Sequence, residues 1–255
     1  MAKTKRTTKR SKRRERNRKR ILKLFLFVLT ILAIYLLLFK TDLFNIKRIE
    51  VVGNQKLNED QIIKASLCRR GENIFNISKK KGVESLMQLP YIKEANIERK
   101  LPDKLIIEVV ERKEIAIIPY IGSYIFIDEE GYILKIEGQN EEVDLLRIDG
   151  IKLENPNPGD NLFHLFENDS IMEFFTFGNS SNLLTLMKRV DFADKDNIII
   201  DLIDGIKVAF GTLDDVKYKL SFLNKIIEDI REKDIKAKQI LFDRGDNPIV
   251  VTDDR

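Results

Sequence analysis

Apolar positions run through Ile21–Phe39 (ILKLFLFVLTILAIYLLLF), broken only by Lys23. Nineteen residues as a helix span about 28 Å, close to the roughly 30 Å hydrocarbon core of a bilayer. The run has no polar face, which disfavours a buried core helix. Beyond it the pattern changes period. Phe44–Val52 (FNIKRIEVV) alternates as a strand and stops at Gly53-Asn54. Helical spacing follows: Asn58 and Gln61 form a capping box, Leu57 is placed to staple on Ile62, and Ile62, Ile63, Ala65 and Leu67 carry the helix to Arg69-Arg70-Gly71. A second helix from Ser78 puts Val83, Leu86 and Met87 on one face and ends at Pro90. Strands Ile92–Arg99 and Lys104–Val110 flank the turn Leu101-Pro102-Asp103, with Leu105, Ile107 and Val109 sharing a face. The order over 44–112 is β-α-α-β-β.

Residues 113–255 read as a β-rich region carrying packed helices. Tyr124–Asp128 and Tyr132–Ile136 form a hairpin around Glu129-Glu130-Gly131, and Asp204-Gly205 joins Ile198–Leu202 to Ile206–Phe210 as a type I′ hairpin. Asn155–Gly159 is a loop, ahead of helices around Leu162–Phe166 and at Ser170–Phe177 or Leu183–Lys188. Thr212 and Asp215 are spaced as a capping box for a long helix in which Val216, Leu220, Leu223, Ile227 and Ile230 make one stripe, read as core packing rather than a coiled-coil seam. Strands Gln239–Asp243 and Ile249–Thr252 close the chain. The fold class is therefore α+β behind an N-terminal transmembrane helix.

Charge adds a direction. Twelve Lys and Arg crowd residues 1–20, with Glu15 the only acid, so this tail stays on the cytoplasmic side and the part beyond Lys40 lies outside. Lys23 sits near enough to that face to snorkel into the headgroups. A cleaved signal peptide is disfavoured, because Phe39-Lys40-Thr41-Asp42 offers no small-residue cleavage site. The tail lacks interleaved aromatics, so contact with anionic lipid headgroups accounts for it better than nucleic acid does. Without residues 1–20 the chain holds 33 basic and 40 acidic residues, a net of −7 with no polyanion-binding character.

Candidate chemistry is sparse. Cys68 is the only cysteine, so no intrachain disulfide forms, and its apolar neighbours predict a buried thiol. His164, the only histidine, cannot build a metal cluster and lies in the apolar segment LFHLF. Asp191, Asp194 and Asp196 lack the spacing of a calcium loop, and no nucleophile elbow or phosphate-cradling glycine array occurs. Asn76, Asn168 and Asn179 begin sequon-like triplets that chance explains in an Asn-rich chain. The expectation is a protein with no catalytic residues, no metal, no cofactor and no small-molecule substrate.

The run LPYIKEANIERKLPDKLIIEVVERKEIAII resembles the hallmark of the FtsQ/DivIB family of bacterial division proteins, at Pro90, Ile92, Ala95, Ile97, Arg99, Pro102, Leu105, Ile107, Val109, Glu111, Arg112 and Ala116. Glu114 stands where that family usually has proline. The β-α-α-β-β unit is similar to a POTRA domain, and the hairpin YIFIDEEGYIL is similar to the family's next element. The resemblance implies a cytoplasmic tail (1–20), a span (21–39), a POTRA domain (44–112) and a β-rich FtsQ/DivIB-type domain (113–255). It also implies a divisome scaffold at the septum, binding FtsL and DivIC/FtsB-type partners. A POTRA-bearing component of a secretion or polypeptide-transport system, and an anchored envelope enzyme, are the alternatives. The C-terminal segment is expected to leave a sheet edge where a partner strand docks, as the resemblance also implies. Ile240, Phe242, Asp243, Arg244, Pro248, Ile249 and Val250 are its candidate residues; the same pattern fits Ile240, Phe242 and Ile249 as core.

Overall fold

The structure, a computed structural model, describes residues 9–138, 143–165, 169–242 and 247–252, without the side chains of 9–15, 164 and 165. The His164 side chain, Asn168, Asp243 and Arg244 lie outside the described residues. The chain divides into two compact units: Met1–Leu86 with Ala95–Val109, and Met87–Glu94 with Val110–Arg255.

The first unit begins with α1 (Lys9–Lys40), the one helix among the described residues long and apolar enough to cross a membrane. A short 3-10 turn, Asp42–Phe44, then precedes β1 (Arg48–Val52), which starts later than the alternation predicted. After α2 (Glu59–Ala65) and α3 (Lys79–Leu86) come β2 (Ile92–Lys100) and β3 (Lys104–Glu111), in the sheet order β1-β3-β2. β1 pairs parallel with β3 from Arg48–Lys104 to Val52–Glu108. The predicted face of β3 is the core: Leu105 and Ile107 are fully buried and Val109 nearly so.

Local chemistry explains where the helices start and stop. The capping box forms as expected, Gln61 N donating to Asn58 Oδ1 at 2.8 Å and Asn58 N to Gln61 Oε1 at 3.1 Å. The helix ends at Ala65 rather than beyond Leu67. Ser66 Oγ donates to Ile63 O and accepts from Cys68 N, turning the chain so that Leu67 is left-handed (φ 60°) and exposed. Cys68 is buried as expected, and burial pushes its thiol pKa up. In α3 the buried face is Gly82 and Leu86, while Met87 is exposed, contrary to the predicted stripe. Gly82 is there for close approach: a Cβ would stand 2.6 Å from Ile97 Cδ1 and 2.7 Å from Ser66 O.

The second unit is one sheet of nine strands, ordered β12-β11-β10-β9-β8-β7-β4-β5-β6. In chain order these are β4 (Ala116–Tyr120), β5 (Ser123–Ile127), β6 (Ile133–Gly138), β7 (Leu146–Asp149), β8 (Met187–Asp191), β9 (Ile198–Leu202), β10 (Lys207–Gly211), β11 (Ala237–Leu241) and β12 (Ile249–Thr252). Helices α4 (Leu162–Leu165) and α5 (Asp169–Ser180) separate β7 from β8, and α6 (Val216–Glu232) separates β10 from β11. Register aligns Ile148, Val190, Ile200, Val208, Ile240 and Val250 in one row across six strands. This row shares a core with Phe174 and Phe175 of α5 and with the α6 stripe Val216, Leu220, Leu223, Ile227 and Ile230, buried as predicted.

Two turns differ from expectation. At Asp204-Gly205 only Gly205 has positive φ (88°), and Gly205 N donates to Leu202 O at 3.1 Å while Leu202 N donates to Ile206 O at 2.9 Å. The loop is a three-residue turn closed by a left-handed glycine, not a two-residue type I′. The capping box before α6 does not form: Thr212 Oγ1 donates instead to Asp214 Oδ2 at 2.9 Å, and Asp215 is left-handed. Lys219 Nζ reaches back to Thr212 O at 2.8 Å, and burial lowers its pKa.

A buried charge pair knits the second unit together. Arg112 Nη1 donates to Asp128 Oδ2 at 2.5 Å and to Glu130 Oε2 at 2.6 Å, with the guanidinium 3.8 Å above the Tyr132 ring. The Arg112 and Asp128 side chains are 8% and 2% exposed. Asp128 Oδ1 accepts from Tyr132 N and Glu130 N, which shapes the β5–β6 turn. Around the pair, Lys93 bonds Glu129 and Glu130, and Asn179 of α5 bonds the other Glu129 oxygen. Glu114, in the place of the family's proline, accepts from Tyr91 Oη and lies 3.8 Å from Lys135.

Two outcomes follow from this packing. Ile107→Asp places a carboxylate in a dry core and costs several kcal/mol, roughly the stability of a small unit, as read from urea unfolding of the solubilised chain. Arg112→Met leaves Asp128 buried without its partner and costs about 3–5 kcal/mol, whereas an unchanged urea midpoint would show the pair to be dispensable. The lattice also sets an acid dependence. Lys93 holds the Glu129 carboxyl low, and Arg112 followed by Lys93 does the same for Glu130. A depressed carboxylate pKa stabilises above its unfolded value, and that stability is lost as pH falls through the folded value. Stability therefore drops on acidification below the ordinary glutamate range, and Lys93→Met flattens the drop.

Candidate functional site: the open sheet edge

The sheet of the second unit has two edges, β6 and β12, and the structure treats them differently. Along β6, Ile133 N donates to Asp160 O at 2.9 Å and Gly159 N to Ile133 O at 2.8 Å, so the loop Gly159–Asn161 lies over the start of that edge. β12 pairs antiparallel with β11 through Ala237–Thr252, Gln239–Val251, Ile240–Val250 and Leu241–Ile249. No strand of the described residues lies beyond it. Alternate backbone N–H and C=O groups of an edge strand point away from the sheet and can pair with an added strand. Natural edges usually carry a charge or a proline that blocks such pairing, and Ile249–Thr252 (IVVT) carries neither.

The parity of the sheet decides which side chains this edge offers. Because Ile240 and Val250 fall in the inward row, Leu241, Ile249 and Val251 face outward. Ile249 is 47% and Val251 37% exposed. The outward row continues from Ile249 through Leu241 and Ala209 to Ile199, an apolar stripe across four strands. Farther in, on β7–β9, the same face turns ionic. Arg189 bonds Asp149 at 2.5 Å and Asp191 at 2.8 Å, lies 3.6 Å from Asp201, and Arg147 bonds Asp149 at 2.9 Å. The Asp149 hydrogen bond, with Asp191 and Asp201 behind it, raises the Arg189 pKa, so these carboxylates are engaged by fixed cations.

The predicted residues separate accordingly. Ile240 is fully buried and belongs to the core of this chain, the other reading its pattern allowed. Phe242 packs against the same core, its ring 5.9 Å from Phe210 and its N–H bonded to Ala209 O, and Val250 is half-buried beside it. Pro248 is half-buried and Ile249 exposed. Val251 and Leu241, not among the candidates read from the sequence, also lie in the outward rows. The signal was the two-residue period: once Ile240 is assigned to the core, the hairpin register sends Val251 outward.

The sequence model of the FtsQ-type POTRA domain matches residues 44–112. The cell division protein DivIB of Clostridium tetani is 33% identical over 164 residues, 64% of this chain and 59% of that protein. DivIB of Clostridium botulinum strain Loch Maree is 30% identical over 224 residues, 86% of this chain and 84% of that protein. The match thus spans about three-fifths of the first relative and most of the second. A solved structure of the major extracytoplasmic domain of DivIB from Geobacillus stearothermophilus is 21% identical, covering 48% of this chain and 96% of that one with a TM-score of 0.33. By its identity to these relatives over most of its length, the chain belongs to the FtsQ/DivIB family of bacterial cell-division proteins.

Proposed function

We propose that this protein is a non-enzymatic scaffold of the division apparatus, anchored by α1, whose C-terminal sheet edge takes up an extended segment of an FtsL or DivIC/FtsB-type partner during septum formation. The relatives are named as cell division proteins, which supports the division role. The observation that carries the binding mode is β12, a charge-free, four-residue edge strand whose Ile249 and Val251 are exposed. Main-chain hydrogen bonds to the added strand would supply affinity, and the outward apolar side chains would supply specificity. The outward carboxylates of β7–β9 are held by Arg147 and Arg189. The basic residues 1–20 support a cytoplasmic N-terminus lying against anionic headgroups, with residues 44–112 and 113–255 outside the cell membrane at the septum.

Two measurements check this. Ile249→Lys combined with Val251→Lys alters only exposed positions, so the urea midpoint stays in place while partner affinity falls about tenfold or more. Equal affinity for the double variant moves the interface off this edge. In intact spheroplasts, added protease removes the chain beyond about residue 41 and spares the basic tail; protection of the whole chain, or release of a soluble mature form, would overturn the anchor reading.

A further inference from the structure

A helix leaves its last four carbonyls without intrahelical donors, and at a membrane exit water supplies them poorly. In α1 two of these carbonyls find donors from side chains. Thr41 Oγ1 donates to Leu37 O at 2.6 Å, and Asn73 Nδ2, from the loop between α2 and α3, donates to Leu38 O at 2.6 Å. Asn73 is 8% exposed, and its Oδ1 accepts from Phe75 N at 2.9 Å, so the clamp and its loop are fixed together. The Phe75 ring lies 6.1 Å from Phe39 and 5.2 Å from Phe44. The folded part of the first unit is thus closed onto the last turn of α1.

The surface at this same end has mixed character. Leu43 and Leu101 are 50% and 60% exposed. Leu101 belongs to the turn whose Asp103 O accepts from Lys47 N at 2.9 Å and Arg48 N at 3.3 Å, which ties that turn to the start of β1, a few residues after Leu43. The loop carrying Arg69 and Arg70 is held there by Gly71 N to Ile46 O and Ile46 N to Glu72 O, both 2.9 Å. Lys40, Lys47, Arg48, Arg69 and Arg70 are all exposed. Of the acids nearby, Asp42 accepts from Asn45 and Asp103 lies 3.4 Å from Lys47, leaving Glu72 and a cationic balance. Exposed leucines ringed by cations, next to a bilayer span, are the makings of an interfacial contact.

We propose that this end of the first unit is a second membrane contact. Leu43 and Leu101 enter the headgroup region of the leaflet from which Lys40 emerges, and Lys40, Lys47, Arg69 and Arg70 meet the phosphates of anionic phospholipid. The proposal rests on α1 spanning the bilayer, and holds whichever side its N-terminus faces.

The chain has no Trp, so single indoles report without background. Leu101→Trp, Leu43→Trp, Val52→Trp and Leu29→Trp, each in the full chain, are reconstituted in vesicles of phosphatidylcholine and phosphatidylglycerol and quenched with brominated lipids. Val52 is exposed at the far end of β1, about 13 Å from its start, and serves as the water reference. The expected result is blue-shifted emission and shallow-bromine quenching for the Leu43→Trp and Leu101→Trp variants, with neither for Val52→Trp. Arg69→Glu with Arg70→Glu then reduces the quenching of the Leu101→Trp indole, and quenching that is unaltered by this change overturns the phosphate contact. If the Leu29→Trp indole is quenched by deep bromines while the Leu101→Trp indole behaves like that of Val52→Trp, the second contact is wrong and the span stands. If the Leu29→Trp indole is not quenched, the span reading itself fails and takes the proposal with it.

Discussion

Burial of one aliphatic row holds the second unit in register. Ile148, Val190, Ile200, Val208, Ile240 and Val250 stand side by side across six strands, against Phe174, Phe175 and the α6 stripe. A slip of one residue in any strand would send its row member to the opposite face, so each pairing is fixed by all the others. That constraint makes a strand as short as β12 definite in position, although four residues alone specify no register.

The outward face follows from the same parity and has little freedom of its own. Residues that flank the inward row must point away from the helices, and their chemistry changes across the sheet. On β7–β9 they are Arg147, Arg189, Asp149, Asp191 and Asp201, which satisfy one another. On β9–β12 they include Ile199, Ala209, Leu241 and Ile249, which leave apolar area in water. An apolar stripe that runs to an uncovered edge differs from a scattered surface leucine, because backbone groups and side chains there can be used together. The β6 edge, with the loop Gly159–Asn161 over its start, lacks that combination.

The positions that carry the family resemblance have structural reasons. Leu105, Ile107 and Val109 form the face of the central strand of the first unit, Ile97 is the side chain that Gly82 makes room for, and Ala116 is fully buried at the start of β4. Arg112 anchors Asp128, and Asp128 shapes the turn that the motif YIFIDEEGYIL spells out. Glu114, the one departure noted from that resemblance, accepts a hydrogen bond from Tyr91.

Periodicity alone determined the span, the β-α-α-β-β unit, the hairpins around Gly131 and Gly205, and the α6 stripe, because each is written in neighbours no more than a few residues apart. Caps and turns were less legible. The Thr212 hydroxyl had Asp214 as a competing acceptor, and Ser66 ended α2 before Leu67 could join it. β4, β7 and β8 were not anticipated; β7 pairs in parallel on both sides, with strands distant in sequence, and so leaves no hairpin signal. The candidate edge shows the division most clearly. The sequence placed two apolar strands in this segment, but it left open whether Ile240, Phe242 and Ile249 are core or partner-facing. Only the sheet decided it, because burying Ile240 against α5 and α6 turns Val251 and Ile249 to the other side.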